Sequence, residues 1–120
     1  MYTLTVRDRF EAAHFLRSYR GKPETVHGHS WQVVVTLETE ELDDEGMGFD
    51  FVEIRRHLGE LAGRFNHGDI NGTPPFDVQS PTTEHLARYF FTELAERLPG
   101  SGLVSCTVWE GPDCSATYRP

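Results

Sequence analysis

The segment from residue 27 to residue 37 reads HGHSWQVVVTL, and every second side chain from His27 to Leu37 is apolar or an imidazole. Period two is the period of a β-strand, in which successive side chains point to opposite faces. The pattern therefore predicts a strand with His27, His29 and the apolar side chains on one face. An earlier run, from about residue 2 to residue 15, begins with the same alternation and contains neither Gly nor Pro. This run predicts a first strand.

Two later segments carry apolar side chains at the spacing of an α-helix. In the first, from about residue 51 to residue 65, they recur three and four positions apart after Asp50, a predicted N-cap. The second begins at Ser80-Pro81, a predicted cap and first-turn proline, and ends before Pro99-Gly100. Gly and Pro residues make the segment 66–79 between the helices a predicted loop.

Two further strands are predicted over residues 103–110 and 115–118. The order is therefore strand, strand, helix, helix, strand, strand. Locally connected strand pairs favour antiparallel pairing. The sequence thus predicts an α+β fold, a four-stranded antiparallel sheet with two helices on one face. A length of 120 residues fits one domain, spanning 1–120.

Charge and hydropathy argue against two classes of partner. Nineteen acidic and eleven basic side chains give a net charge of −8, whereas nucleic-acid binding needs many Lys and Arg to neutralise phosphates. No apolar run of about 18 residues or signal-peptide pattern is present, so a cytoplasmic location without membrane partners is expected. Cys106 and Cys114 are expected to be free thiols. Arg17, Arg20 and Lys22 form either a local cation cluster for a small anionic substrate or a solvated loop.

Three histidines suggest a metal site. His27 and His29 lie two apart on one strand, so their imidazoles project to one face about 6–7 Å apart. His14 lies near the end of the first strand, which is expected to pair antiparallel with the second. Three imidazoles with one open position are typical of catalytic zinc, although imidazoles also bind other transition ions. His57 and His85, on the predicted helices, are expected to be solvated or structural.

Five motifs occur along the chain in this order: Phe10-Glu11-Ala12-Ala13-His14, His27-Gly28-His29, Asn66-His67, Pro81-Thr82-Thr83-Glu84 and Val108-Trp109-Glu110. Together they resemble the 6-pyruvoyltetrahydropterin synthase and 6-carboxytetrahydropterin synthase family. The similarity covers nearly the whole chain. The family has the tunnelling fold, in agreement with the α+β pattern.

The resemblance implies a role for each matched position. His14, His27 and His29 are expected to bind Zn²⁺, which holds the hydroxyl groups of a pterin side chain. The resemblance implies substrate binding by Glu110, which accepts from the N–H groups of the pterin ring, and by Thr82 and Thr83 beside it; it implies proton transfer by His67. It also implies a homo-hexamer, a dimer of trimers, with active sites between subunits.

Two positions depart from the family. A cysteine that serves as general base usually precedes the His-Gly-His motif, but here Glu24 stands three residues before His27. This arrangement resembles a subgroup that converts 7,8-dihydroneopterin triphosphate to 6-hydroxymethyl-7,8-dihydropterin, a folate precursor, with glutamate as the base. The second departure is Asn66, where the family usually has aspartate before the histidine. Asp69, two residues after His67, is the candidate replacement.

Several alternatives stay open at this stage. The first is the 6-carboxytetrahydropterin synthase reaction of queuosine synthesis, or the 6-pyruvoyltetrahydropterin synthase reaction, on the same substrate. The second is a protein that binds zinc and a pterin without catalysis. The third, outside the family, is a metal-binding regulator or storage protein.

Overall fold

The computed structural model describes residues 1–120, which form five strands and two α-helices. In chain order the elements are β1 (Tyr2–His14), β2 (His27–Thr39), α1 (Phe51–Gly63), β3 (Gly68–Asp69), α2 (Thr83–Arg97), β4 (Leu103–Glu110) and β5 (Cys114–Tyr118). A 3-10 turn, Ile70–Gly72, follows β3. The α+β class is confirmed. Neither helix has the length and apolar character needed to cross a membrane.

The strands form a single sheet in the order β3-β1-β2-β4-β5. All neighbours pair antiparallel except β3, which lies parallel to β1. The prediction of a four-stranded, wholly antiparallel sheet is therefore wrong by one strand. β3 has only two residues, both exposed, so it carries no alternation that a sequence pattern can reveal. It pairs because the chain after α1 passes along the edge of β1.

One face of the sheet and the two helices enclose the core, a cluster of 22 buried residues. α1 packs on β1, and α2 packs on β4 and β5. Phe10 and Trp31 stack across the β1–β2 pair with ring centroids 5.9 Å apart, and both side chains are buried. Burying a side chain of this size stabilises the fold by roughly 1.5–3 kcal/mol. The aromatic pair therefore anchors the two long strands to the core.

The helix starts differ in how well they were predicted. Asp50 caps α1 as expected, with its Oδ1 accepting from the Val52 N–H at 2.9 Å. The cap of α2 is Thr82, whose hydroxyl accepts from the His85 N–H at 3.1 Å, and not Ser80. Ser80 Oγ instead accepts from the Arg17 N–H at 3.0 Å. The cap of α2 thus lies two residues after the predicted one, and the hydroxyl of the predicted cap is used in a contact with a distant segment.

Both cysteines are free, as expected, but their surroundings differ. Cys106 is buried in β4, and burial raises the pKa of its thiol to about 12. Cys114 is exposed at the start of β5.

Ellman's reagent at pH 8 is expected to modify one thiol per native chain, and the second only after unfolding, because the thiolate is the reactive form. Cys114→Ser should abolish the reaction of the native protein, whereas Cys106→Ala should preserve it. Rapid modification of native Cys114→Ser would contradict the assignment.

Candidate metal centre

Four side chains converge where β1, β2 and β4 meet, on the face of the sheet that carries the helices. The strand register places His14 opposite His27, and Ala12 opposite His29. Glu110, the last residue of β4, lies opposite Trp31. One ligand atom from each of His14, His27, His29 and Glu110 lies within 4.8 Å of the others. The structure thus brings the three predicted histidines together and adds a carboxylate.

Backbone carbonyl groups fix the protonation of two imidazoles. His14 Nδ1 donates to the Pro81 carbonyl at 3.0 Å, and His27 Nδ1 donates to the Thr25 carbonyl at 2.8 Å. A carbonyl only accepts, so in each neutral ring the proton is on Nδ1 and Nε2 has a free lone pair. The two Nε2 atoms are 3.1 Å apart. Two lone pairs this close repel each other unless a cation or a shared proton lies between them.

Burial favours the neutral ring at the centre of the cluster. The His14 side chain is 1% exposed. Desolvation is the largest cause that lowers the pKa of His14 below its ordinary value of 6.5. The neighbouring imidazoles lower this pKa further, while the Pro81 carbonyl and Glu110 oppose the change. A neutral imidazole is the form that binds a metal ion.

His29 contributes a buried nitrogen atom without a partner. Its Nε2 is 2.8 Å from Glu110 Oε1, yet the two atoms are not aligned as a hydrogen bond and Nε2 is unsatisfied. A buried polar atom left without a partner costs about 1–3 kcal/mol. Three imidazole nitrogens and a carboxylate oxygen are donors that a divalent ion such as zinc accepts. The residues present therefore fit a metal ion.

Comparisons with known proteins show the family of the chain. A family model described as 6-pyruvoyl tetrahydropterin synthase matches residues 3–120. The 6-carboxy-5,6,7,8-tetrahydropterin synthase of Synechocystis is 34% identical over 115 residues, covering 91% of this chain and 86% of that protein. The chain belongs to the 6-pyruvoyl tetrahydropterin synthase family.

Solved structures of the family share the fold. A Caenorhabditis elegans 6-pyruvoyl tetrahydropterin synthase superposes with a TM-score of 0.86 at 23% identity, covering 99% of this chain and 95% of that one. A Plasmodium vivax 6-pyruvoyltetrahydropterin synthase, with alanine in place of a catalytic glutamate, superposes with a TM-score of 0.82 at 19% identity. The coverage there is 99% of this chain and 97% of that one.

Glu24, the predicted base of this family member, lies beside the cluster. Its Oε1 is 3.7 Å from His27 Nδ1 and accepts from the Leu16 N–H at 3.1 Å. The Glu24 N–H donates back to the Leu16 carbonyl at 2.9 Å. These reciprocal bonds hold the carboxylate in the loop between β1 and β2, with its side chain 26% exposed.

The predicted pterin-ring residues meet at the start of α2. Thr83 Oγ1 donates to Glu110 Oε2 at 2.8 Å, so the first residue of the helix orients the last residue of β4. Thr82, the N-cap, uses its hydroxyl oxygen as the acceptor for the His85 N–H. His85 itself donates from Nδ1 to the Ser80 carbonyl at 2.8 Å, in keeping with a structural role.

The structure does not join His67 or Asp69 to the cluster by a hydrogen bond. His67 is exposed, has a positive φ of 59°, and lines a cavity of about 400 Å³ that also touches His29. Asp69 caps the 3-10 turn, with its Oδ1 accepting from the Asn71 N–H at 3.0 Å. Asn66 Oδ1 accepts from the Glu11 N–H at 3.0 Å. The catalytic roles of His67 and Asp69 therefore stay predictions.

The segment 71–81, which runs from the 3-10 turn to the start of α2, braces the end of β1, a role that the sequence did not reveal. Asn71 both accepts from the Phe15 N–H and donates to the Phe15 carbonyl, each at 2.9 Å. Arg17 Nη2 donates to the Phe76 carbonyl at 2.6 Å and to the Asn71 carbonyl at 3.5 Å. The Arg17 guanidinium is thus held by backbone groups, whereas Arg20 and Lys22 are exposed.

We expect purified protein to bind zinc at one equivalent per chain, and His29→Ala to weaken zinc binding at least about tenfold, because one of its nitrogen donors is lost. Competition with a chromophoric chelator measures this affinity. His57→Ala, on α1, is the matched control and should bind like the wild type. Equal loss in both variants would contradict the assignment of the site.

Arg17→Met is expected to lower the free energy of unfolding by about 1–3 kcal/mol, since the Phe76 carbonyl loses a charged donor. Urea unfolding of the metal-free protein measures the change. Arg20→Met, in the same loop but exposed, should be nearly neutral. An equal effect of both substitutions would show that the brace does not depend on the guanidinium.

Proposed function

We propose that the chain is a zinc-dependent lyase that converts 7,8-dihydroneopterin triphosphate to 6-hydroxymethyl-7,8-dihydropterin. The position of Glu24 beside His27 is the observation that supports this reaction most directly. Neither cysteine lies in that loop: Cys106 is buried in β4 and Cys114 begins β5. A carboxylate is therefore the candidate base. The catalytic glutamate of the Plasmodium vivax relative supports the same assignment.

The chemistry of the step is a retro-aldol cleavage. Glu24 takes the proton from the hydroxyl on the second carbon of the side chain, and the bond between the first and second carbons breaks. The electron pair passes to the first carbon, where the conjugated C=N bond of the ring stabilises it, and a proton is added there. The second carbon leaves as an aldehyde that carries the triphosphate. His14, His27 and His29 would hold a zinc ion, which would supply positive charge to stabilise the developing oxyanion.

The ring is assigned to Glu110, Thr82 and Thr83. A carboxylate accepts two parallel hydrogen bonds from the guanidine-like edge of a pterin, in the manner of an arginine–carboxylate pair. Thr83 already holds Glu110 Oε2 at 2.8 Å, which supports its position beside the ring. Thr82, the adjacent residue, lies at the same end of α2.

We assign proton return to His67, assisted by Asp69, in a site assembled between subunits of a homo-hexamer, a dimer of trimers. The exposure of His67, and the absence of a hydrogen bond from its ring within the chain, support a partner outside it. The face of the sheet away from the helices also supports association. It carries half-buried Val34 and Trp109 and no helix covers it.

A second candidate is the 6-carboxytetrahydropterin synthase reaction on the same substrate. The name of the Synechocystis relative favours it. Both candidate reactions use the same zinc site and the same binding site for the pterin ring, but they give different pterin products.

Zinc-loaded protein incubated with 7,8-dihydroneopterin triphosphate is expected to release 6-hydroxymethyl-7,8-dihydropterin, identified by chromatography and mass spectrometry. Glu24→Gln should lower kcat by about 10²–10⁴, the contribution of a general base. Glu45→Gln, an exposed acid in the loop after β2, is the matched control and should keep the wild-type rate.

Other products lead to other conclusions. Release of 6-carboxytetrahydropterin would move the assignment to the second candidate. Pterin binding without any turnover would make the chain a binding protein. An unchanged rate in Glu24→Gln would remove the glutamate from the mechanism.

A further inference from the structure

The cluster supplies four donors, whereas the proposed reaction needs one position of the metal free. Four protein ligands close a zinc site, and an open position is the mark of a catalytic one. The donor beyond the three histidines is Glu110. The same carboxylate is also assigned to the pterin ring, so the two uses compete.

We propose that Glu110 is the fourth metal ligand of the substrate-free protein, and that a bound pterin ring draws it off the metal and opens that position. Binding of the pterin ring, and not of the pterin's own side chain that reacts, then opens the fourth position of the metal. The identity of the ring rests on the proposed function, but the coordination of Glu110 does not.

The orientation of the carboxylate supports this assignment. Thr83 holds Oε2, which leaves Oε1 directed at the imidazoles, 2.8 Å from His29 Nε2 and 3.8 Å from His14 Nε2. Ligands placed tetrahedrally at about 2.0–2.2 Å from one ion stand about 3.3–3.6 Å apart. The distance from Oε1 to His29 Nε2 lies below that range, and the distance to His14 Nε2 lies above it. A small movement of the side chains therefore completes the shell.

The unpartnered nitrogen of His29 points the same way. Glu110 Oε1 and His29 Nε2 are in contact without hydrogen-bond alignment, and His29 Nε2 has no other partner. Both atoms act as ligands when they are deprotonated. A cation between them and the His14–His27 pair satisfies all four at once.

The exchange follows from the number of oxygens in one carboxylate. Two parallel hydrogen bonds to a guanidine-like edge engage both oxygens, so a bound ring competes with the metal for Oε1. The Glu110 side chain is 29% exposed, so a ligand can reach it. Until then the fourth position is covered, and small anions are kept off the metal. Ring binding and anion binding at the metal are thus positively coupled, and each should favour the other by the same factor.

Cobalt-substituted protein tests this coupling through its visible bands, with azide as the probe anion and pterin lacking a 6-substituent as the probe ring. Wild type is expected to bind azide weakly, and at least about tenfold more tightly when saturated with pterin. Glu110→Ala should bind azide tightly without pterin. Glu110→Asp, which keeps the charge but withdraws it by about 1.5 Å, one carbon–carbon bond, should behave like Glu110→Ala. Glu60→Ala, on α1, should match wild type.

Two results would overturn the proposal. The first is equal azide affinity in wild type and Glu110→Ala without pterin, which removes Glu110 from the metal. The second is tight azide binding in Glu110→Ala with no effect of bound pterin on wild type, which removes the exchange. Lyase product formed alongside either result leaves the proposed function intact. Conversely, coupling of pterin and azide without lyase product supports the exchange and rejects the lyase.

Discussion

The antiparallel pairing of β1 with β2 is the constraint on which the rest of the structure depends. The pairing runs without a break from Tyr2–Thr39 to His14–His27. A shift of one residue in such a ladder would turn every side chain of a strand to the other face. The buried stack of Phe10 on Trp31 prevents that shift, because it would expose both rings. Apolar packing thus sets the geometry of the imidazoles a few residues further along.

The second layer around the metal centre comes from the segment between β3 and α2. In this segment the Pro81 carbonyl accepts a hydrogen bond from His14. Hydrogen bonds with Phe15 and Arg17 fix the position of the segment. A hydrogen bond to the ring nitrogen that does not bind the metal fixes the tautomer and the orientation of a ligating imidazole. The site is therefore rigid on the side of the core, where His14 is buried, and more accessible on the side of His27 and His29.

The position of Glu110 connects the metal centre with the start of α2. The carboxylate is the one acidic group among the four donors, so it partly balances the charge of a divalent ion. Thr83 fixes one of its oxygens and leaves the other free to change partners. In the proposed exchange, a single side chain shared in this way would let recognition of a ring control the reactivity of a metal without a large movement of the backbone.

The sequence by itself determined the two long strands, both helices and the three histidines, because period-two and helical patterns record which side chains face the core. The resemblance of its motifs to a known family also singled out Glu24 and Glu110. Only the tertiary structure decided β3, the start of α2, the brace by Arg17 and the arrival of Glu110 beside His29. Each of these depends on a contact between segments tens of residues apart, such as Arg17 with Ser80 or Ala12 with Gly68. Local patterns carry no information about such contacts, since the partner is chosen by the packing of the whole chain.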